Sequence, residues 1–240
     1  MDDQLNIPSA ENARATGNFV SAWLRSLRRP TWGPPGANRF DEPLGGRIPV
    51  VLIHGTWLNA FNTFAFLAPE LVRRGHAVFA LNYGRDVSSL CGRLRGVYGT
   101  RAMTESRTEI AQFIELVRRR TGAKQVDIVA HSQGVAQARM FLTDWDLPRL
   151  GDARAERPAV RRVIGLGGSN HGTRHPLRRL PRLRRAVDWL IRRVAGQAAL
   201  DQFVGSEALE HLNRQGDTVP GVSYVMISSS LDRVVVPWRT

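Results

Sequence analysis

Val126 to Gln137, VDIVAHSQGVAQ, is the stretch that decides the fold. An apolar, β-branched run reads as a buried strand. It passes without a loop into Ala130-His131-Ser132-Gln133-Gly134 and then into a helix beginning near Gln133. A serine at such a strand-to-helix turn sits on a sharp bend with its oxygen exposed above the sheet. Small residues two positions to either side let strand and helix approach closely enough to make that bend. Gly134 supplies one of them, and Ala130 supplies the other with a single extra methyl. The competing reading, an ordinary helix N-cap serine, is outweighed by the strand–turn–helix setting.

The same alternation extends to both sides. Upstream, RIPVVLIHG is an apolar β-branched run closed by glycine, which is the pattern of a strand buried on both faces. Phe64, Leu67, Leu71 and Val72 follow at helical spacing up to a stop at Gly75. HAVFALNYG reads as a second buried strand. Ile110, Phe113, Ile114 and Val117 then mark one face of a helix from about Thr104 to Arg120, closed by Gly122. Downstream, VRRVIGLGG and VSYVMISSS read as a fourth and a fifth strand. Strands alternating with helices predict an α/β fold, a mostly parallel sheet with helices on both faces. Residues 1–46, rich in Pro, Gly and Asn, read as an irregular arm with a short helix over Phe19 to Leu27, and 47–240 as a single domain. A chain of 240 residues, 42% hydrophobic and 23% charged, suits one such core and excludes a largely disordered chain. No apolar run has bilayer-spanning length. The single cysteine, Cys91, excludes an internal disulfide and a multi-cysteine zinc site, and no metal or cofactor is expected.

Two further segments complete a chemistry around Ser132. A nucleophilic serine needs main-chain N–H groups aimed at the oxyanion of its tetrahedral intermediate. In this architecture they come from the residue after the serine and from a loop after an earlier strand, which designates Gln133 and, in IHGTW, Thr56. His54 reads as a brace for that loop rather than a base. In ISSSLDRVVVP, Asp232 lies just past a late strand, where a triad carboxylate belongs, and the order Ser132 then Asp232 is that of an α/β-hydrolase.

RIPVVLIHGTW, LAPELVRRGHAVFALNYG, GVYGT, TGAKQVDIVAHSQG, SNHGT, GSEALEHLNRQGDTVPGVSY and LDRVVVP together resemble the bacterial class 2 lipases over roughly residues 30 to 240. That resemblance implies an α/β-hydrolase fold, cleavage of acylglycerols or related carboxylic esters, Ser132 as nucleophile, Asp232 as triad acid, and Thr56 and Gln133 as backbone oxyanion donors. It also implies an ester or lipid substrate. The sequence departs from the family in having no signal peptide and no cysteine pairs, and in carrying Val135 where a second glycine is usual. The missing signal suggests a cytoplasmic protein, whereas the family is commonly secreted.

The triad histidine of this order lies beyond the acid, yet all six histidines (His54, His76, His131, His171, His175, His211) precede Asp232. His131, next to the serine, is expected to point away from its side of the turn. His171 falls in a loop that the resemblance marks as structural, and His171 or His175 as a substitute base is the weaker expectation. The expectation is therefore a chain truncated before the last strand, the catalytic histidine and the closing helix, inactive as it stands because an unassisted serine stays protonated. Its alternative is a catalytically dead α/β-hydrolase-fold protein that binds lipid surfaces.

The charge supports that alternative. Lys and Arg number 34 against 21 acidic residues, a net +13, and Arg149 to Arg193 holds 13 arginines against Asp152, Glu156 and Asp188, hence +10. Within it, Leu183, Val187, Leu190, Ile191 and Val194 form one face of a basic amphipathic helix, part of a cap-like insertion at about 174–212. A solvated helix packed on the hydrolase body is the first reading. Peripheral contact of 178–194 with anionic lipid is the second, suited by Trp189 and the arginines. Nucleic acid is a distant third, since no nucleic-acid fold accompanies the charge.

Overall fold

A computed structural model describes residues 5–146, 157–174 and 181–232. Five strands, β1 (Val50–Ile53), β2 (Val78–Ala80), β3 (Val126–His131), β4 (Val160–Leu166) and β5 (Ser223–Ile227), form one sheet in the order β2-β1-β3-β4-β5. Every pairing is parallel, with Leu52 opposite both Ala80 and Val129, and Ile164 opposite Val225. Parallel strands need crossovers on the faces. They are supplied by α2 (Ala60–Phe64) and α3 (Leu67–Arg73) after β1, α5 (Met103–Thr121) before β3, and α6 (Gln133–Phe141) after it.

The two faces have separate cores. Ile110, Phe113, Ile114 and Val117 of α5 pack with Val135, Ala138 and Phe141 of α6 against Val51, Ile53, Ile128 and Ala130. On the opposite face, Ala60, Phe64 and Ala68 cover Val50, Leu52 and Val129. Alternate residues of β1 and β3 therefore serve opposite cores, which is why β1 reads as an unbroken apolar run and β3 is interrupted before His131 only by Asp127, which pairs with Arg161.

The helix expected up to Gly75 is interrupted. Asn59 and Asn62 form a capping box that starts α2 at Ala60, and the chain turns at Ala65–Phe66 before α3. α5 ends as expected, on Gly122 in the left-handed conformation. Residues 5–46 are irregular apart from α1 (Phe19–Arg28) but not detached. Asn38 lies beside β2, donating through Nδ2 to Ala80 O and accepting from Ala80 N–H, while Leu5, Ile7 and Phe40 pack on the core. β5 is the outer strand of the described sheet, with Val225, Met226 and Ile227 exposed. Beyond β4 lie α7 (Pro181–Ala195), α8 (Gln197–Asp201) and α9 (Glu207–Asn213), and α4 (Leu90–Arg93) lies in the connection between β2 and α5.

Candidate active site

The sheet order fixes where a site belongs. From β1 the chain moves outward to β2, then returns across β1 to β3, so the loops leaving β1 and β3 diverge to opposite faces. A crevice opens at the carboxyl ends of two such strands. His54–Trp57 leaves one strand there and Ser132 the other.

Ser132 adopts φ 53° and ψ −123°, a left-handed backbone that non-glycine residues rarely occupy. Its N–H donates to Leu166 O at 2.9 Å and its carbonyl accepts from Val135 N–H at 3.0 Å, so the turn is clamped between β4 and the first turn of α6. The bend brings α6 down onto the end of β1. A methyl group on Gly134 would press against the carbonyl oxygens of Ile53 and, at 2.7 Å, His54. Ala130 is fully buried and its extra methyl is accommodated.

The loop after β1 is pressed against this turn. A Cβ on Gly55 would stand 3.0 Å from Ser132 Cβ and 3.1 Å from His131 Nδ1. His54 is fully buried, stacked on Tyr83 with ring centroids 4.3 Å apart. Nδ1 lies 2.8 Å from Gly55 O and Nε2 accepts from Tyr83 N–H at 3.2 Å, which fixes a neutral Nδ1–H tautomer. Burial holds its pKa at about 4, below the ordinary 6.5. This histidine is a brace. The single Tyr83 O–H is shared between His54 O at 2.7 Å and Gln133 Oε1 at 3.0 Å, tying the side chain of the residue after the serine to the same loop.

Gly99, at φ 65°, is threaded between the two segments. A Cβ there would meet Gly55 O at 2.8 Å, Thr56 Cα at 3.1 Å and Gln133 Oε1 at 3.1 Å.

From the other side the loop is held by the helices after β4, a contact that sequence reasoning missed. Gln202, buried at the end of α8, donates through Nε2 to Thr56 Oγ1 at 2.8 Å and to Ala198 O at 2.9 Å. Its Oε1 accepts from Ser169 Oγ at 2.9 Å. Trp57 Nε1–H donates to Ala195 O at 2.8 Å at the end of α7. These pairs lie 146 and 138 positions apart in the chain, and no local pattern announces them.

Asp232 comes to the same end of the sheet. Its N–H donates to Ser229 O, and a Cβ on Gly167, the residue after the carbonyl that holds Ser132, would lie 3.6 Å from its Oδ2. The Asp232 charge acts on His131, opposing the downward pull of burial on that imidazole. The His131 ring borders Gly55, and its Nδ1 is buried with no hydrogen-bond partner among the described residues. The positive φ of Ser132 breaks the strand's alternation, so adjacent side chains both reach the loop.

His171 and His211 are committed elsewhere. His171 Nε2 pairs with Asp217 at 3.1 Å, and His211 Nε2 with Asp144 at 2.7 Å beside Arg107. His76 is exposed at the turn after α3, and His175 lies outside the described residues. Among the described residues, no group of three or more His, Cys, Asp and Glu gathers as a metal requires, and no helix is long and apolar enough to cross a membrane.

Comparison with known proteins follows the same lines. The family model described as Lipase (class 2) matches residues 47–239. The fold is similar to that of lipase B from Aspergillus fumigatus, with a TM-score of 0.60 at 20% identity over 85% of this chain. This chain spans only 42% of that one. It is also similar to the mature lipase BlEst2 of Bacillus licheniformis, with a TM-score of 0.54 at 17% identity, covering 82% of this chain and 73% of that one.

Proposed function

The chain belongs to the class 2 lipase family, and on that premise we propose that it is a serine carboxylester hydrolase acting on acylglycerols or related esters. The observation that carries the reading is Ser132 itself, held at a positive φ between a buried strand and a helix, with the Gly55–Thr56 loop packed against it.

In the proposed reaction Ser132 Oγ attacks the ester carbonyl carbon. An Oγ–C bond forms, and the carbonyl electron pair moves to oxygen. The main-chain N–H groups of Thr56 and Gln133 stabilise that oxyanion, an interaction whose loss typically costs roughly 10²–10³ in rate per donor. Collapse expels the alcohol, which takes a proton from the general acid, and leaves an acyl-enzyme on Ser132. Water then attacks the acyl carbon and frees the acid. Asp232 is the carboxylate of this relay, orienting a histidine that takes the serine proton. No histidine follows Asp232 in the 240 residues, and among the described residues the Asp232 charge bears on His131.

A second reading, an α/β-hydrolase fold that binds lipid surfaces without turnover, is favoured by one observation. His54, His171 and His211 are each held by partners other than Ser132. Treatment with a fluorophosphonate probe, alongside hydrolysis of a short-chain nitrophenyl ester, separates the two. An adduct on Ser132 with turnover supports the hydrolase, and an adduct without turnover supports the second reading. No adduct on Ser132 sinks the nucleophile assignment.

A further inference from the structure

The apolar stripe of α7 is only half used in packing. Val187, Asp188, Ile191 and Ala195 turn inward and are partly buried, whereas Leu183, Leu190 and Val194 at the edge of that side remain exposed. Trp189, on the outward side, is 64% exposed. The helix packs against α4, and that neighbour adds more of the same surface, with Val87, Leu90 and Leu94 each more than half exposed. Trp57, joined to the end of α7 by its indole hydrogen bond, is 42% exposed and belongs to the loop packed on Ser132. Singly exposed apolar side chains need no explanation, but a contiguous set on adjacent elements marks an interaction surface.

Charge says what that surface meets. Arg184 pairs with Asp188 at 3.7 Å, and Arg192 lies in the field of Asp201. Arg185 and Arg193, both exposed, make no ion pair among the described residues. An exposed Trp and Leu stripe with unneutralised guanidinium groups beside it is the composition of a helix that lies in the interface of an anionic bilayer. Its apolar side chains enter the acyl boundary while its cations meet the headgroups.

We infer that α7, α4 and Trp57 form one docking surface for an anionic lipid surface, placed so that the loop packed against Ser132 faces the lipid. The inference deepens the proposed ester hydrolysis by naming where the substrate is presented, and it rests on that reading only for this role. The binding itself requires no catalysis. The end of α7, which holds Trp57, and the end of α8, which holds Thr56, then link the docking face to the oxyanion loop.

Co-sedimentation of the 240-residue chain with phosphatidylcholine vesicles, with and without phosphatidylglycerol, tests it. The expected result is binding at least roughly tenfold stronger to the phosphatidylglycerol vesicles, falling as salt rises. Arg185→Gln with Arg193→Gln should lower that affinity roughly tenfold or more, as should Leu190→Ser with Val194→Ser. These positions are exposed, so unchanged thermal melts establish that the variants fold. Equal binding to both vesicle types, or no binding to either, overturns the inference. So does loss of binding in the arginine variant alone, which leaves the apolar side chains no role. A dimer that Leu190→Ser dissolves, without vesicle binding, also overturns it and assigns the face to a second copy. Ser132→Ala should bind vesicles as the parent does. Docking and catalysis can therefore fail separately.

Discussion

At the residue scale the molecule accepts local strain to expose one hydroxyl. A non-glycine residue held in a sparsely populated backbone region costs about 1–3 kcal/mol, and such residues cluster at functional sites. Ser132→Gly should therefore raise stability by about 1 kcal/mol while abolishing reaction at this position. Urea unfolding beside probe labelling reads both effects, and a variant less stable than the parent would contradict the strain argument. His54 has the opposite character, a polar group kept neutral by burial. Its folded pKa of about 4 lies below its ordinary 6.5, so the unfolded chain binds the additional proton between those values. Its contribution is complete above pH 6.5 and is lost as pH falls toward 4, to the extent of about 3 kcal/mol. His131, also held below its ordinary value by burial, acts in the same sense. Unfolding curves across this range should show the decline in the parent and a shallower one in His54→Gln. An identical slope in both would remove His54 from the account.

At the scale of elements, the joint between β3 and α6 is the most demanding piece of packing. The helix descends onto the last carbonyls of β1, and only a residue without a side chain fits at Gly134. Gly134→Ala should cost about 3 kcal/mol, an overpacking penalty against backbone that cannot rotate away. Thermal denaturation measures it, and a variant melting with the parent would show that the joint has slack. This element was also the most legible in the sequence, because a buried strand, a serine and small flanking residues are all local. α5 and its terminal Gly122 were legible for the same reason. The split between α2 and α3 was not, since the apolar spacing of Phe64, Leu67 and Leu71 runs through the break. It is the Asn59–Asn62 side-chain exchange that sets where α2 starts. The amphipathic pattern of α7 was legible too, but not which part of its stripe is buried, because that depends on how the helix leans on α4 and α8.

At the scale of the whole molecule, topology does what no single segment reveals. The order β2-β1-β3-β4-β5 brings the ends of β1 and β3 side by side and sends their chains to opposite faces. It thereby sets Gly55 and Thr56 against Ser132 and carries Asp232 over the end of β4. Ser132, Gln133, Thr56 and Asp232 were each singled out from local pattern and chain order. The supports among them were not, because they are long-range: Gln202 to Thr56, Trp57 to Ala195, Tyr83 to Gln133. A glutamine at a helix end carries no mark that it will meet a threonine 146 positions away. The same assembly couples the Arg-rich α7 to the loop after β1 through the Trp57–Ala195 hydrogen bond, so the proposed lipid docking and the proposed ester chemistry would share that contact.

Ser132 is the proposed nucleophile of this fold. The most direct measurement is mass spectrometry of the 240-residue chain after reaction with a fluorophosphonate, with Ser132→Ala treated in parallel. The expected result is one phosphonylated peptide, the one containing Ser132, and none in the variant. An unmodified Ser132 peptide, or an adduct on another serine that persists in Ser132→Ala, would contradict it.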